Sequence, residues 1–372
     1  MPAEQPNLPT RLADKRVCIC VGAGGVGKTS TSAALALGLA MRGQKVAVVS
    51  IDPAKRLAGA LGLERLPGQP QRIQPQLFDA AGIQMQGELW AMMLDSKRTF
   101  DELIAHLTSD PQARERIYSN RIYSELSGAI AGSQEFTAIA KLYELEREGD
   151  FDVIVLDTPP ARNALDFLDA PTRLTQFLDG RALSLFLAPT GVASRLLGRS
   201  SGLIFAAFAR VSGIDLFAEL SSFFNSLGGV IDGFRERVHG VEELLRAPGC
   251  AFVIIASPES GPVAEAIFLH RELARAGMPY VALIVNRVHQ GGRQGHTTEQ
   301  FIALAAERLG EPLARRVALN LADFQVLATR DSDSVRALSQ ALSEPAPVLI
   351  PHLDHEVSDL ASLAVLAGHL LD

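Results

Sequence analysis

The stretch VCICVGAGGVGKTSTS, residues 17–32, carries two phosphate-loop patterns at once. Gly22, Gly24 and Gly27 spell the G-x-G-x-x-G of a dinucleotide-binding turn. Residues 22–29 also spell the G-x-x-x-x-G-K-[ST] of a nucleotide triphosphatase. The flanking sequence suits either. An apolar strand over 17–21 runs into the loop, an Ala/Leu-rich helix over 29–41 closes at Gly43, and a second apolar strand, KVAVVSI, covers 45–51. Strand, loop, helix and strand in this order begin a parallel α/β sheet.

Lys28 and Thr29 separate the two patterns. A pyrophosphate can be satisfied by backbone N–H groups and a helix N-terminus alone. A triphosphate brings more negative charge and a metal. It needs a cation reaching the β- and γ-phosphates and a hydroxyl for Mg²⁺, which Lys28 and Thr29 supply in the expected places. The expected phosphate contacts are Gly22, Gly24, Gly25, Val26, Gly27, Lys28, Thr29 and Ser30, with ATP and Mg²⁺ as the cofactors.

Two strand-end acids extend the site. Asp157 closes the apolar run FDVIVL and can hold Mg²⁺ directly or through water; the structural alternative is a cap on a following helix. Thr158-Pro159-Pro160 then leaves as a stiff turn. Asp52, in VVSIDPAKRL, can orient and deprotonate the water attacking the γ-phosphorus. A cap or an outer metal contact is the plainer reading. Asn286 follows the apolar run YVALIV, and a carboxamide there can pair with the edge of adenine. The C-terminal half contains no NKxD-type guanine-reading segment.

Further along, apolar strands are expected over 87–93, 251–256 and 280–285, and helices over 261–276 and 298–309. A short strand is expected near 315–319, then small helices or turns to 342, and a last helix over 357–370. Residues 64–76 read as loop. Residues 99–149 read as helical, broken near 110–111 and 128–133. The fold class is α/β: a doubly wound, mostly parallel sheet with an all-helical insertion. A flexible arm over 1–14 precedes one domain over 15–372, which includes helical segments over 95–149 and 163–247.

Residues 167–234 hold nine of the 17 phenylalanines: Phe167, Phe177, Phe186, Phe205, Phe208, Phe217, Phe223, Phe224 and Phe234. Arg195, Arg199, Arg210, Asp215 and Glu219 interrupt the apolar runs, which argues against a membrane span. Two readings stay open. The segment is a helical subdomain packed on itself or on a subunit partner, or it is an apolar surface for a hydrophobic or membrane-protein client.

Composition sets the remaining bounds. Hydrophobic residues make up 47% and charged residues 21%, as in a globular chain. A formal net charge of −7 gives no overall attraction for nucleic acid or an anionic membrane. Three cysteines form neither a disulfide framework nor a close CxxC pair. Cys18 and Cys20 share one face of their strand and read as small buried hydrophobes, which suits a reducing cytoplasm.

Taken together, 21–63, FDVIVLDTPPARNALDFLDAPTRL and ALIVNRVH resemble the ArsA-type anion-transporting ATPases, a family that includes the arsenite-pump ATPase and the ATPase delivering tail-anchored membrane proteins. The resemblance runs from about residue 15 to the end. It implies a side-by-side dimer with nucleotide near the interface, Asp52 as the water-positioning residue, Asp157 in the second switch and Asn286 against adenine. It also implies a hydrophobic client groove near 167–234, in a cytoplasmic protein that can work at the inner face of a membrane.

Ala23 departs from the family, which usually has lysine there to reach the phosphates of the partner's site. A homodimer would lack that cation. Three expectations follow: a heterodimer with a related subunit that keeps the lysine, replacement of the charge by Lys55 or Arg56, or slow turnover as a nucleotide switch. Arsenite pumping would need thiols converging on a soft ion, which these cysteines do not offer.

Overall fold

Residues alternate in and out of a sheet with period two, and here both faces are covered. Cys18, Cys20, Val46, Val48, Val153, Val155, Val253 and Ile255 form part of one apolar cluster. The intervening Val17, Ile19, Val49, Leu156, Phe252 and Ile254 are equally buried but point the other way. That is why these strands are apolar throughout. The computed structural model describes residues 7–51, 56–108, 110–119, 134–159, 233, 235–291 and 298–372.

Among the described residues, eight strands form one sheet: β1 (Val17–Gly22), β2 (Lys45–Ser50), β3 (Gln71–Arg72), β4 (Glu88–Met93), β5 (Val153–Asp157), β6 (Cys250–Ala256), β7 (Tyr280–Val288) and β8 (Val348–Pro351). Their order is β3-β4-β2-β5-β1-β6-β7-β8. Every pairing is parallel except that of β3 with β4. β1 therefore lies between β5 and β6, at the point where the winding reverses and ligands bind beyond the strand ends.

The helices in chain order are α1 (Leu8–Leu12), α2 (Lys28–Met41), α3 (Arg56–Ala60), α4 (Pro75–Ala80), α5 (Ser96–Leu107), α6 (Pro111–Tyr118), α7 (Gln134–Glu148), α8 (Ser260–Ala276), α9 (Thr298–Leu309), α10 (Glu311–Leu342) and α11 (Leu360–Leu371). Residues 235–246 are also helical. α2 is buried along nearly its whole length because the sheet lies on one side and α11 on another. Gly38 makes that second contact possible, since a methyl there would strike Leu371. Buried Ala266, Leu269 and Leu273 seat α8 away from the α2 cluster.

The described residues of 1–93, 151–164 and 248–372 form one unit, which carries the sheet. Those of 94–150 and 165–247 form another and are helical. In this helical unit the Lys141 ammonium is buried 3.3 Å from Glu144 and 3.7 Å from Glu102. Among the described residues, no helix is long and apolar enough to cross a membrane.

Four expectations need correction. Within the expected arm, α1 is capped by the Asn7 side chain and buries Leu8 and Leu12. Within the expected loop over 64–76, Gln71–Arg72 adds to the sheet edge and Pro75 opens α4. The strand expected near 315–319 and the small helices after it are one helix, α10. The tail holds an additional strand, β8. The Phe-rich segment 167–234 lies outside the described residues apart from 233.

Candidate active site

The loop between β1 and α2 exists because three glycines allow it. Gly22 pairs with Ile255 of β6, and a Cβ at Gly22 would collide with the Ile255 carbonyl. Gly25 and Gly27 have φ of 82° and 88°, a region costly to other residues. Gly24 and Gly25 are exposed, whereas Val26 is buried and packs into the core cluster.

Gly27 is also the N-cap of α2. No side chain caps this helix, and its first turn contains no acid. The first N–H groups of a helix have no partner within it and carry the positive end of its dipole. Such an uncapped end is receptive to an anion. Lys28 sits in this first turn, buried, with Nζ donating to the carbonyls of Gly22 (3.0 Å) and Ala23 (2.9 Å). The ammonium is thus held against the loop. Thr29 and Ser30 are half-buried in the same turn.

Asp157 ends β5, the strand beside β1, and is fully buried. Cys20, Asp157 and Ser50 lie abreast across β1, β5 and β2. The Ser50 hydroxyl donates to Asp157 Oδ2 at 3.1 Å. The Thr158 hydroxyl donates to the Cys20 carbonyl at 2.7 Å, pinning the turn after Asp157 to β1. The Ile51 N–H donates to the Asp157 carbonyl at 3.3 Å, so the chain leaving β2 follows the end of β5. Asp52 and Lys55 lie outside the described residues, and Arg56 opens α3 exposed.

Asn286 reaches the loop from β7. Its Nδ2 donates to the Val26 carbonyl at 2.9 Å, and its Oδ1 accepts from the Arg287 N–H at 2.9 Å. Arg287 has φ of 62°, a left-handed conformation costing a non-glycine residue about 1–2 kcal/mol. Just beyond, the His289 N–H and Nδ1 both lie on Asp331 Oδ2, at 3.0 and 2.7 Å, and Arg330 donates to Oδ1.

Oxygen donors suit magnesium, and the Thr29 hydroxyl and Asp157 carboxylate are of that kind. Magnesium commonly takes only one or two protein oxygens, completing its shell with water and phosphate. Among the described residues, no three His, Cys, Asp or Glu side chains gather as a metal cage. This donor set fits a metal bound together with a phosphate ligand.

Ala23 is buried, its methyl in the core cluster. All three cysteines are free and buried. Burial pushes the Cys20 and Cys250 thiols up to about 12 and Cys18 well above its ordinary range.

Sequence reasoning passed over Ser50, Arg287, His289 and Asp331. Ser50 did leave a signal, as the polar residue closing KVAVV two positions before Asp52. Asp331 left none, being 45 residues from Asn286 in one helix among many polar positions.

A family model described as anion-transporting ATPase matches residues 15–304. The provisionally named arsenical pump-driving ATPase 1 of Aquifex aeolicus is 28% identical over 256 residues, 67% of this chain and 57% of that protein. ATPase GET3A of Arabidopsis thaliana is 28% identical over 252 residues, 67% of this chain and 60% of that protein. ATPase get3 of Schizosaccharomyces japonicus is 28% identical over 192 residues, 52% of each. The matches thus span little more than half the length of these relatives.

Proposed function

The chain belongs to the anion-transporting ATPase family, and on that premise we propose that it hydrolyses ATP to ADP and phosphate with magnesium. One observation carries the proposal. A buried lysine is folded onto the loop at an uncapped helix start, one strand away from a buried aspartate. The Gly22 and Ala23 carbonyls keep the ammonium against the loop, and phosphate oxygens are stronger acceptors for it than a neutral carbonyl.

In this reading the first-turn N–H groups of α2 and the loop amides bind the phosphates. Lys28 moves its proton donors from the Gly22 and Ala23 carbonyls to the β- and γ-oxygens. Thr29 and Asp157 would hold the metal, which would offset the negative charge that builds up on the phosphates. Asp52 orients the water for in-line attack and takes its proton. Asn286 contacts the base in the same reading.

The same reading includes a dimer, either of this chain or with a related subunit, whose arrangement changes over the hydrolysis cycle. A hydrophobic or membrane-protein client held through 167–234 follows from the family resemblance. So does a cytoplasmic location, in part at the inner face of a membrane, which the three free thiols suit. Ala23 favours a second reading of the cycle. With a buried methyl in place of a lysine, the chain acts as a nucleotide-gated subunit whose turnover is slow until a partner supplies the cation.

The test is magnesium-dependent phosphate release by the purified chain, alone, with Lys28→Ala and Asp52→Asn in parallel. Release that is robust alone and collapses on Arg56→Ala or Lys55→Ala overturns the need for a partner. Full activity in Asp52→Asn removes that residue from its role.

A further inference from the structure

We propose that Asn286 is a positioning residue for the phosphate loop, aiming the Val26–Gly27 peptide, and that Asp331 fixes the strand end from which it acts. This rests on reading 22–29 as a triphosphate cradle and adds the device that keeps the cradle in shape.

A peptide unit is planar and trans, so its C=O and N–H point in opposite directions. The Asn286 amide binds the Val26 carbonyl at 2.9 Å. Doing so turns the Gly27 N–H the other way, toward the side of the loop where an anion would sit. Gly27 has a left-handed φ of 88° and no side chain, so nothing of its own keeps the unit from flipping. The close fit adds to this hold, because a Cβ on Gly27 would strike Asn286 Nδ2.

The amide itself is set by the backbone. Oδ1 accepts from the Arg287 N–H, which leaves Nδ2 as the end facing the loop. That arrangement needs the left-handed Arg287, and such a conformation persists only where its surroundings over-determine it. Asp331 provides the restraint two residues on. Fully buried in α10, it receives both the backbone N–H and the ring Nδ1 of His289 on one oxygen and Arg330 on the other. The strained residue is therefore held between the loop on one side and α10 on the other.

A probe without a base isolates this role. Magnesium tripolyphosphate, ATP and GTP are titrated calorimetrically into the wild type and Asn286→Leu, which has no donor and adds no charge. Loss of one buried hydrogen bond should weaken tripolyphosphate and ATP alike, by roughly tenfold. Hydrogen exchange of amides 26–31 should accelerate by a comparable factor with no ligand present. Asp331→Asn, remote from the loop, should move both readouts the same way by a smaller factor, and it carries the test if Asn286→Leu does not fold.

If Asn286→Leu binds tripolyphosphate and exchanges like the wild type, losing only its preference for ATP over GTP, Asn286 reads the base and the proposal falls. A wild type that binds neither ATP nor tripolyphosphate removes the cradle itself, and the proposal with it. If ATP binds and tripolyphosphate does not, the exchange rates decide: acceleration supports positioning, and unchanged rates overturn it.

Discussion

The Ser50 hydroxyl donates to Asp157 Oδ2 across 3.1 Å, with both side chains sealed from water. The bond joins the ends of β2 and β5, the two strands that lead into the acidic positions at 52 and 157. A carboxylate with one oxygen fixed has its other oxygen aimed by the same constraint. Ser50 thereby orients the group expected to meet the metal.

Ser50→Ala should therefore raise the magnesium concentration needed for half-maximal ATP binding by roughly tenfold, the scale of a hydrogen bond to a charged group. Ser50→Thr should restore most of the loss. Binding of ATP in the presence of a chelator should not change. A magnesium titration with a fluorescent nucleotide reads all three, and an unchanged midpoint in Ser50→Ala would leave the serine a packing role only.

Lys28→Met keeps the length of the side chain and removes its charge. Steady-state phosphate release should fall by at least about 10²-fold, as when a donor to a developing anion is deleted. The fold should survive, because the Ala23 carbonyl released by the substitution adjoins solvent-exposed Gly24 and Met keeps the apolar stem of the lysine. Retention of half the activity would remove the lysine from the mechanism.

The loop glycines should differ in cost. Gly22→Ala forces a methyl against the Ile255 carbonyl, where backbone would have to give, and should cost about 2–3 kcal/mol. Gly25→Ala meets open space but a left-handed φ, and should cost about 1 kcal/mol. Urea unfolding of the two variants measures the difference, and equal costs would contradict the close approach at Gly22.

The thiols should be inert in the folded chain. Burial is the main cause of the rise at all three cysteines. At Cys20 the neighbouring Asp157 adds to it. Iodoacetamide at pH 8 should leave the native mass unchanged over a time in which the urea-unfolded chain takes up three labels. Stoichiometric labelling of the native chain would overturn the burial.

Asp331 gives a pH signature. Burial acts to raise its carboxyl. Bonds from the His289 N–H, Arg330 and the His289 ring outweigh this and hold it below the ordinary 3.8. A depressed carboxylate adds stability above its unfolded value and loses it as the pH falls through the lower folded value. The stability gap between wild type and Asp331→Asn should thus be constant near neutrality and close as the pH drops below the ordinary carboxylate range. Urea midpoints against pH record it, and a gap that widens in acid would reverse the assignment.

The elements read most readily from sequence were those whose two faces are both covered. β1, β2, β5 and β6 are short unbroken apolar runs, and that pattern has few other solutions. α10 misled because Val317, Leu319 and Leu321 repeat every second residue, the period of a strand. In the structure Leu319 and Leu321 are exposed on a helix, so the alternation reflects no buried face. β8 escaped notice because four residues among Pro345, Pro347 and Pro351 offer no periodicity, and its place at the sheet edge needs none. At the candidate site, Lys28, Thr29 and Asp157 stood out in the sequence by residue type and spacing. The contact between Asn286 and Val26 could not be read, since it joins positions 260 residues apart through a register that only the folded sheet defines.

The strand order also has a consequence for biosynthesis. Of these eight strands β1 leaves the ribosome first, yet its neighbours, β5 and β6, begin at Val153 and Cys250. β2 and β4 can pair early, but VCICV must stay unpaired while some 130 further residues are made on one side and about 230 on the other. Parallel pairing over such separations is slow and leaves apolar edges open meanwhile. The strand that leads into the candidate phosphate loop is therefore also a segment of the nascent chain that needs protection from aggregation.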